Sequence, residues 1–254
     1  MKVLKLGSKD KDVLKLRNLL GLQGADDVFD QQLSDSVKEY QSSHNLVSDG
    51  IVGWGTWKSL LFENGSDDIC WDDLGYLLSC DPKAIRAVVK VESGGSGGFF
   101  EENKPAILFE GHIFWKQLKS KGISPSLYVK GNGDILYPKW TKAFYKGGLK
   151  EYDRLNRAIK INREAALESI SVGMFQIMGF NYKLCGCKSA EEYWEGSKKG
   201  QLQQVLYFCE FIKSSKLLDR LRALDWVGFA KGYNGPGYKA NNYDVKLKKA
   251  YNSF

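Results

Sequence analysis

A polar interruption decides how this chain can fold. After Leu60, Leu61 and Phe62 the sequence reads Glu63-Asn64-Gly65-Ser66-Asp67-Asp68, with turn residues and no apolar periodicity. Segments on either side of such a break build separate cores. The break divides the 254 residues into a first domain, 1–63, a linker, 64–68, and a second domain, 69–254. A share of 43% hydrophobic and 13% aromatic residues marks globular pieces and excludes disorder. No apolar run approaches the roughly 18 residues of a spanning helix, so no stable membrane insertion is expected. Lys5 interrupts Val3 and Leu4, which leaves no secretory hydrophobic region and points to folding in a cytoplasm.

Charge is unevenly divided. Residues 1–65 hold eight basic against nine acidic residues, so the whole net charge of +7 and more lies beyond them. The basic residues are spread out and accompany no nucleic-acid-binding motif, and no nucleic acid partner is expected. The five cysteines are odd in number and irregular in spacing, unlike a disulfide framework, and at least one thiol is free in a monomer. The two histidines, His44 and His112, lie far from Cys185 and Cys187, so no metal and no other cofactor is expected.

The first domain reads as a three-helix module. Ser8 is placed to cap a helix carrying Val13, Leu16, Leu19 and Leu20, and Leu33, Val37 and Tyr40 repeat the spacing in a second. A turn at Asp49 and Gly50 returns Ile51 and Val52 inward, and Thr56 can cap a short last helix ending near Leu61. Trp54, in the turn, is the better candidate to stack on a sugar ring, whereas Trp57 is expected to face inward. This order, carried by Leu6-Gly7-Ser8, Tyr40-Gln41 and Asp49 through Trp57, resembles the helical peptidoglycan-binding module of cell-wall hydrolases.

In the second domain Asp81 and Pro82 sit at the N-cap and first position of a helix, with Ile85, Val88, Val89 and Glu92 on one face. The run Ser93-Gly94-Gly95-Ser96-Gly97-Gly98 ends it and leaves Glu92 in the last turn. An apolar setting and the negative end of the helix dipole both raise a carboxyl pKa, as protonation of a glycosidic leaving oxygen requires. Spacing alone equally fits an exposed helix end. Asn162 can cap a helix before Ser171 to Met178, an apolar run holding the single amide of Gln176, which needs a backbone or ligand partner. Ile107 to His112 contain a second carboxylate, Glu110, and Phe229 to Tyr238 set an aromatic helix end against a glycine-rich turn.

Glu92-Ser93, Gly173 to Gln176 and Tyr233-Asn234-Gly235 resemble, in order, the three short motifs of the lysozyme-like and lytic-transglycosylase superfamily. With Pro105 to His112, Ser171 to Phe180 and Tyr233 to Tyr238 the chain is similar to the phage endolysin N-acetylmuramidases over residues 69–254. The resemblance implies a mainly α fold: the small three-helix module, then a lysozyme-like α-rich catalytic domain with a small β-flap. It implies hydrolysis of the β-1,4 bond between N-acetylmuramic acid and N-acetylglucosamine in peptidoglycan glycan strands. Glu92 would be the general acid, steadied by Ser93, and Glu110 the assisting carboxylate, ahead of Glu101 and Glu102. Ser171, Gln176, Met178, Tyr233, Asn234 and Tyr238 would contact the substrate, and Asp49 and Trp54 would serve the wall-binding module. A monomer held in the host cytoplasm before release, acting at the wall in the periplasm, is implied. A lytic transglycosylase and a non-catalytic envelope-binding protein are the competing readings.

Overall fold

The computed structural model describes residues 1–62, 68–94 and 97–254. Most of the linker expected at 64–68 and Gly95-Ser96 of the run after Glu92 lie outside them. Two compact units, Met1–Cys80 and Asp81–Phe254, divide the chain.

The first unit holds α1 (Asp12–Leu19), α2 (Gln31–Ser43), α3 (Trp54–Phe62) and α4 (Trp71–Leu78). Val13, Leu16, Leu33, Val37 and Trp57 are fully buried, while Leu19 at the end of α1 is exposed. Ser8 does not cap α1. Its hydroxyl accepts from Lys5 N, and it is Asp10 whose carboxylate accepts from Asp12 N at 3.0 Å. Nor does Thr56 cap α3, which begins two residues earlier because the backbone turn at Gly53 already supplies an acceptor to Trp57 N. The fourth helix belongs with these three, although the polar stretch places it in the second domain. Tyr76 of α4 meets Trp57 edge-on at 5.3 Å, and Asp73 pairs with Lys15 at 2.8 Å. Such contacts between residues far apart in sequence leave no local signal.

The second unit begins with α5 (Pro82–Ser93), capped as expected by Asp81, whose carboxylate accepts from Lys83 N. Gly94 ends it in the left-handed region, at φ 58°, where a side chain would be strained. A short antiparallel hairpin comes next, β1 (Phe99–Glu101) with β2 (Lys104–Pro105). A three-stranded antiparallel sheet then joins β3 (Ile107–Phe109), β4 (Ile170–Val172) and β5 (Ile177–Met178) in the order β3-β4-β5. Helices α6 (Gly111–Ser120), α7 (Lys150–Ile159) and α8 (Arg163–Glu168, capped by Asn162) lie between β3 and β4 in the chain. After the sheet come α9 (Ala190–Ser197), α10 (Gln201–Ser214), α11 (Leu218–Arg222), α12 (Trp226–Asn234) and α13 (Tyr243–Tyr251).

Two packing features position the end of α5 and the turn between β4 and β5. Helix α13 lies along α5, tied by Tyr251, whose hydroxyl donates to Asp81 at 2.7 Å, and by Lys90 donating to Ser253. Helix α10 supports the β4–β5 turn. Phe208 stacks on Phe175 at 4.1 Å, and buried Gln204 accepts from Met174 N and donates to Ser197 O. The Gln204 amide occupies the space a Cβ on Gly173 would need, and Gly173 has φ 75°, so only glycine fits there. Among the described residues no helix is long and apolar enough to cross a membrane, and no group of His, Cys, Asp and Glu could hold a metal ion. Cys185, Cys187 and Cys209 are buried, and Cys70 is exposed.

Candidate active site

Glu92 is half-buried in the last turn of α5. Loss of water around its carboxyl raises the pKa to about 7, while the Asn234 hydrogen bond and the charge of Lys246 pull it back less strongly. The helix therefore holds a carboxyl group that is substantially protonated near neutrality. Asn234, the last residue of α12, donates from Nδ2 to Glu92 Oε1 at 3.3 Å. Its own Oδ1 is buried and has no partner among the described residues. Helix α13 brings Lys246 and Tyr243 to the same carboxyl, whose charge together with burial raises the Tyr243 pKa. Ser93 sends its hydroxyl to Val89 O at 2.8 Å, within its own helix.

Asn234 lines an open cleft of about 580 Å³ with Trp140, Lys142, Gly237, Tyr238, Ala240, Asn241 and Tyr243. Tyr238, expected at the substrate, is on this wall. Tyr233 is not, because its hydroxyl donates to Phe175 O at 2.6 Å and its ring stacks on Phe229 at 5.3 Å. It locks α12 to the turn after β4, so that the next residue, Asn234, meets Glu92.

The amide of Gln176 is fully engaged. It donates to Gly173 O at 2.8 Å and Ala106 O at 3.2 Å and accepts from Ser171 Oγ at 2.7 Å. These bonds hold Gln176 at φ 46°, an uncommon conformation for a residue with a side chain. Ser171 pairs across the sheet with Met178, which is half-buried, so Ser171, Gln176 and Met178 form one patch.

Glu110, at the N-cap of α6, accepts from the Tyr145 hydroxyl at 2.7 Å and has its other oxygen 3.1 Å from His112 Nδ1. Burial lowers the His112 pKa, against the pull of the Glu110 charge. Glu101 pairs with Lys104 across the hairpin at 2.7 Å, and Glu102 is exposed in its turn.

In the first unit Trp57 is buried and donates from its ring nitrogen to Lys2 O, whereas Trp54 opens α3 half-buried. Asp49 is exposed and shapes the turn, its Oδ1 accepting from Ile51 N at 2.9 Å and from Gln41 Nε2 at 3.1 Å. The sequence reading missed Lys246, Tyr243, Trp140, Lys142 and Asn241. The first two were detectable only as one face of the final helix, at i and i+3. Trp140 and Lys142 sit in an irregular segment and Asn241 in a short 3-10 turn, none with a period to read.

A protonatable carboxyl at a helix end, an amide beside it with a free acceptor and an open cleft in an α-rich unit with a small sheet equip an enzyme of the lysozyme type. The N-acetylmuramidase family model matches residues 81–254, and a peptidoglycan binding domain model matches residues 14–60. The crystal structure of the Burkholderia AP3 phage endolysin is 34% identical, with 99% of this chain and 98% of that chain covered and a TM-score of 0.64. This chain belongs to the N-acetylmuramidase family. It is a modular cell-wall-degrading glycoside hydrolase with peptidoglycan as its partner.

Proposed function

We propose that the chain is an endolysin that cleaves the β-1,4 bond between N-acetylmuramic acid and N-acetylglucosamine, with Glu92 as general acid. The observation that carries this reading is the desolvated Glu92 carboxyl held by Asn234 at the edge of the cleft. Protonated Glu92 gives its proton to the glycosidic oxygen as the bond to the anomeric carbon breaks. The resulting carboxylate is stabilised by the Asn234 amide and the nearby Lys246 charge. The unpaired Asn234 Oδ1 can accept from the acetamido N–H of a bound sugar. Glu110 is the assisting carboxylate, positioning the attacking water. Ser171, Gln176 and Met178 shape the floor, Tyr238 the wall, and Ser93 and Tyr233 hold the framework. Asp49 and Trp54 belong to the wall-binding surface of the first unit. The enzyme acts as a monomer, without membrane insertion, made in the host cytoplasm and acting on the periplasmic wall.

A second reading has support in the Glu110 geometry, since both oxygens already face Tyr145 and His112. A lytic transglycosylase uses the muramyl 6-hydroxyl as nucleophile and needs no carboxylate to place water. Mass spectrometry of digested peptidoglycan separates the two. Reducing muramic acid ends are expected, and 1,6-anhydro products lighter by one water would replace hydrolysis with transglycosylation.

A further inference from the structure

One segment of the second unit is rich in lysine and contributes two residues to the cleft. Residues 111–150 contain eight lysines and one acid, Asp134, and that acid is neutralised by Arg157 through two bonds of 2.8 Å. Within this segment residues 134–147 have no regular helix or strand, yet they are fixed at both ends. At one end buried Arg154 donates to Asp134 O at 2.8 Å. At the other, buried Glu151 accepts from Lys146 N at 2.6 Å and Gly147 N at 3.0 Å. The two clasps are one ion pair, Arg154 to Glu151 at 2.7 Å, in the interior. Ile135, Leu136 and Tyr137 of this strap are buried.

The part of the strap that does not face inward is its apex. Trp140 is 58% exposed and lines the cleft together with exposed Lys142. Lys142 Nζ is 5.7 Å from the centroid of the indole. A large apolar ring left in water costs free energy that a ligand stacking on it would recover. An anchored loop that exposes an aromatic face and an ammonium group into a cleft has the features of a ligand site.

We propose that Trp140 and Lys142 form a substrate subsite that selects glycan strands carrying carboxylates, Trp140 stacking on a sugar ring and Lys142 pairing with the carboxylate. The inference rests on the reading of Glu92 and its cleft as the catalytic site. Two sources could supply the carboxylate: the lactyl group of muramic acid, free only where the peptide has been removed, or the stem peptide itself. A subsite of this kind contributes to binding and leaves proton transfer by Glu92 untouched.

The test uses the full chain and three soluble substrates: peptide-bearing strands, strands stripped by an amidase, and stripped strands with methyl-esterified carboxylates. Trp140→Ala is expected to raise KM about tenfold on all three, with Trp140→Phe restoring most of it. Lys142→Gln is expected to raise KM about three- to fivefold at low salt, and less at high salt, on carboxylate-bearing strands only. An effect confined to stripped strands assigns the lactyl group, and one confined to peptide-bearing strands assigns the stem peptide. Unchanged KM in both variants, or an equal effect of Lys142→Gln on esterified strands, would overturn the proposal. Glu92→Gln run in parallel keeps the two ideas apart: its full activity defeats the catalytic reading, whereas its inactivity beside unchanged KM values defeats the subsite alone.

Discussion

Two side-chain amides, one in each unit, show how differently the same chemical group can be used. Gln41 in the first unit is buried and exhausted: it donates to Asp49 Oδ1, Ile51 O and Thr56 Oγ1 and accepts from Gly50 N, all within 2.9–3.1 Å. Asn234 in the second unit donates one bond to Glu92 and leaves a buried oxygen without a partner among the described residues. A saturated amide specifies a backbone shape, here the turn that presents Trp54. An amide left partly open keeps a desolvated acceptor ready for a ligand, at a cost of about 1–3 kcal/mol while empty. Gln176 and Gln204 conform to the first pattern, so it is the unsatisfied group, and not the mere presence of a polar residue in an apolar run, that sets Asn234 apart.

The strongest way to break this contrast is at the carboxyl that Asn234 serves. Glu92→Gln is expected to fold normally and lose about 10²- to 10⁴-fold in rate, read as product release from purified sacculi. Because the folded-state pKa is raised to about 7 from 4.5, the wild-type carboxyl favours the folded state below pH 4.5 and loses that contribution as pH climbs through 7. Glu92→Gln should therefore be more stable than wild type above pH 7, by about 1–3 kcal/mol in denaturant titration, and near-wild-type turnover would reject the assignment.

Gln41→Leu is expected to act on the other side of the comparison. It strips partners from Gly50 N, Thr56 and Asp49 and should destabilise the first unit by about 1–3 kcal/mol in denaturant titration. Retention on sacculi should fall while turnover of soluble strands is unchanged. A loss of turnover on soluble strands would show that the two amides are not independent.

The smallest effects should be seen in the pH profile. General-acid activity is expected to decline as pH rises through about 7. Asn234→Ala and Lys246→Gln each remove an influence that lowers the Glu92 pKa, so each should move this alkaline limb upward. A downward movement in either variant contradicts the electrostatic account.

Local chemistry was legible in the sequence, and long-range chemistry was not. Asp81-Pro82, Asn162 and the stripe from Ile85 to Glu92 act within a few residues of themselves, so caps and spacing sufficed to place them. Ser8 and Thr56 have capping chemistry too, but nearby backbone turns and Asp10 serve those helix starts. Tyr233 was legible as part of the site but not as a strut, since its partner Phe175 lies 58 positions away. Lys246 and Tyr243 reach Glu92 only through the packing of α13 on α5, and no pattern within either helix announces the other.

The dependence of Glu92 on α13 also has a meaning in time. Protein synthesis proceeds from the amino end at about 5–20 residues per second, so α5 is made long before the residues that complete its surroundings. A nascent chain that has reached only α12 contains the carboxyl and the sheet, yet lacks Tyr243 and Lys246 and leaves one side of α5 wet. In water that carboxyl is an ordinary, ionised glutamate with no proton to give at neutral pH. The surroundings that set the Glu92 pKa are thus complete only once α13 has been made, some 150 residues after α5.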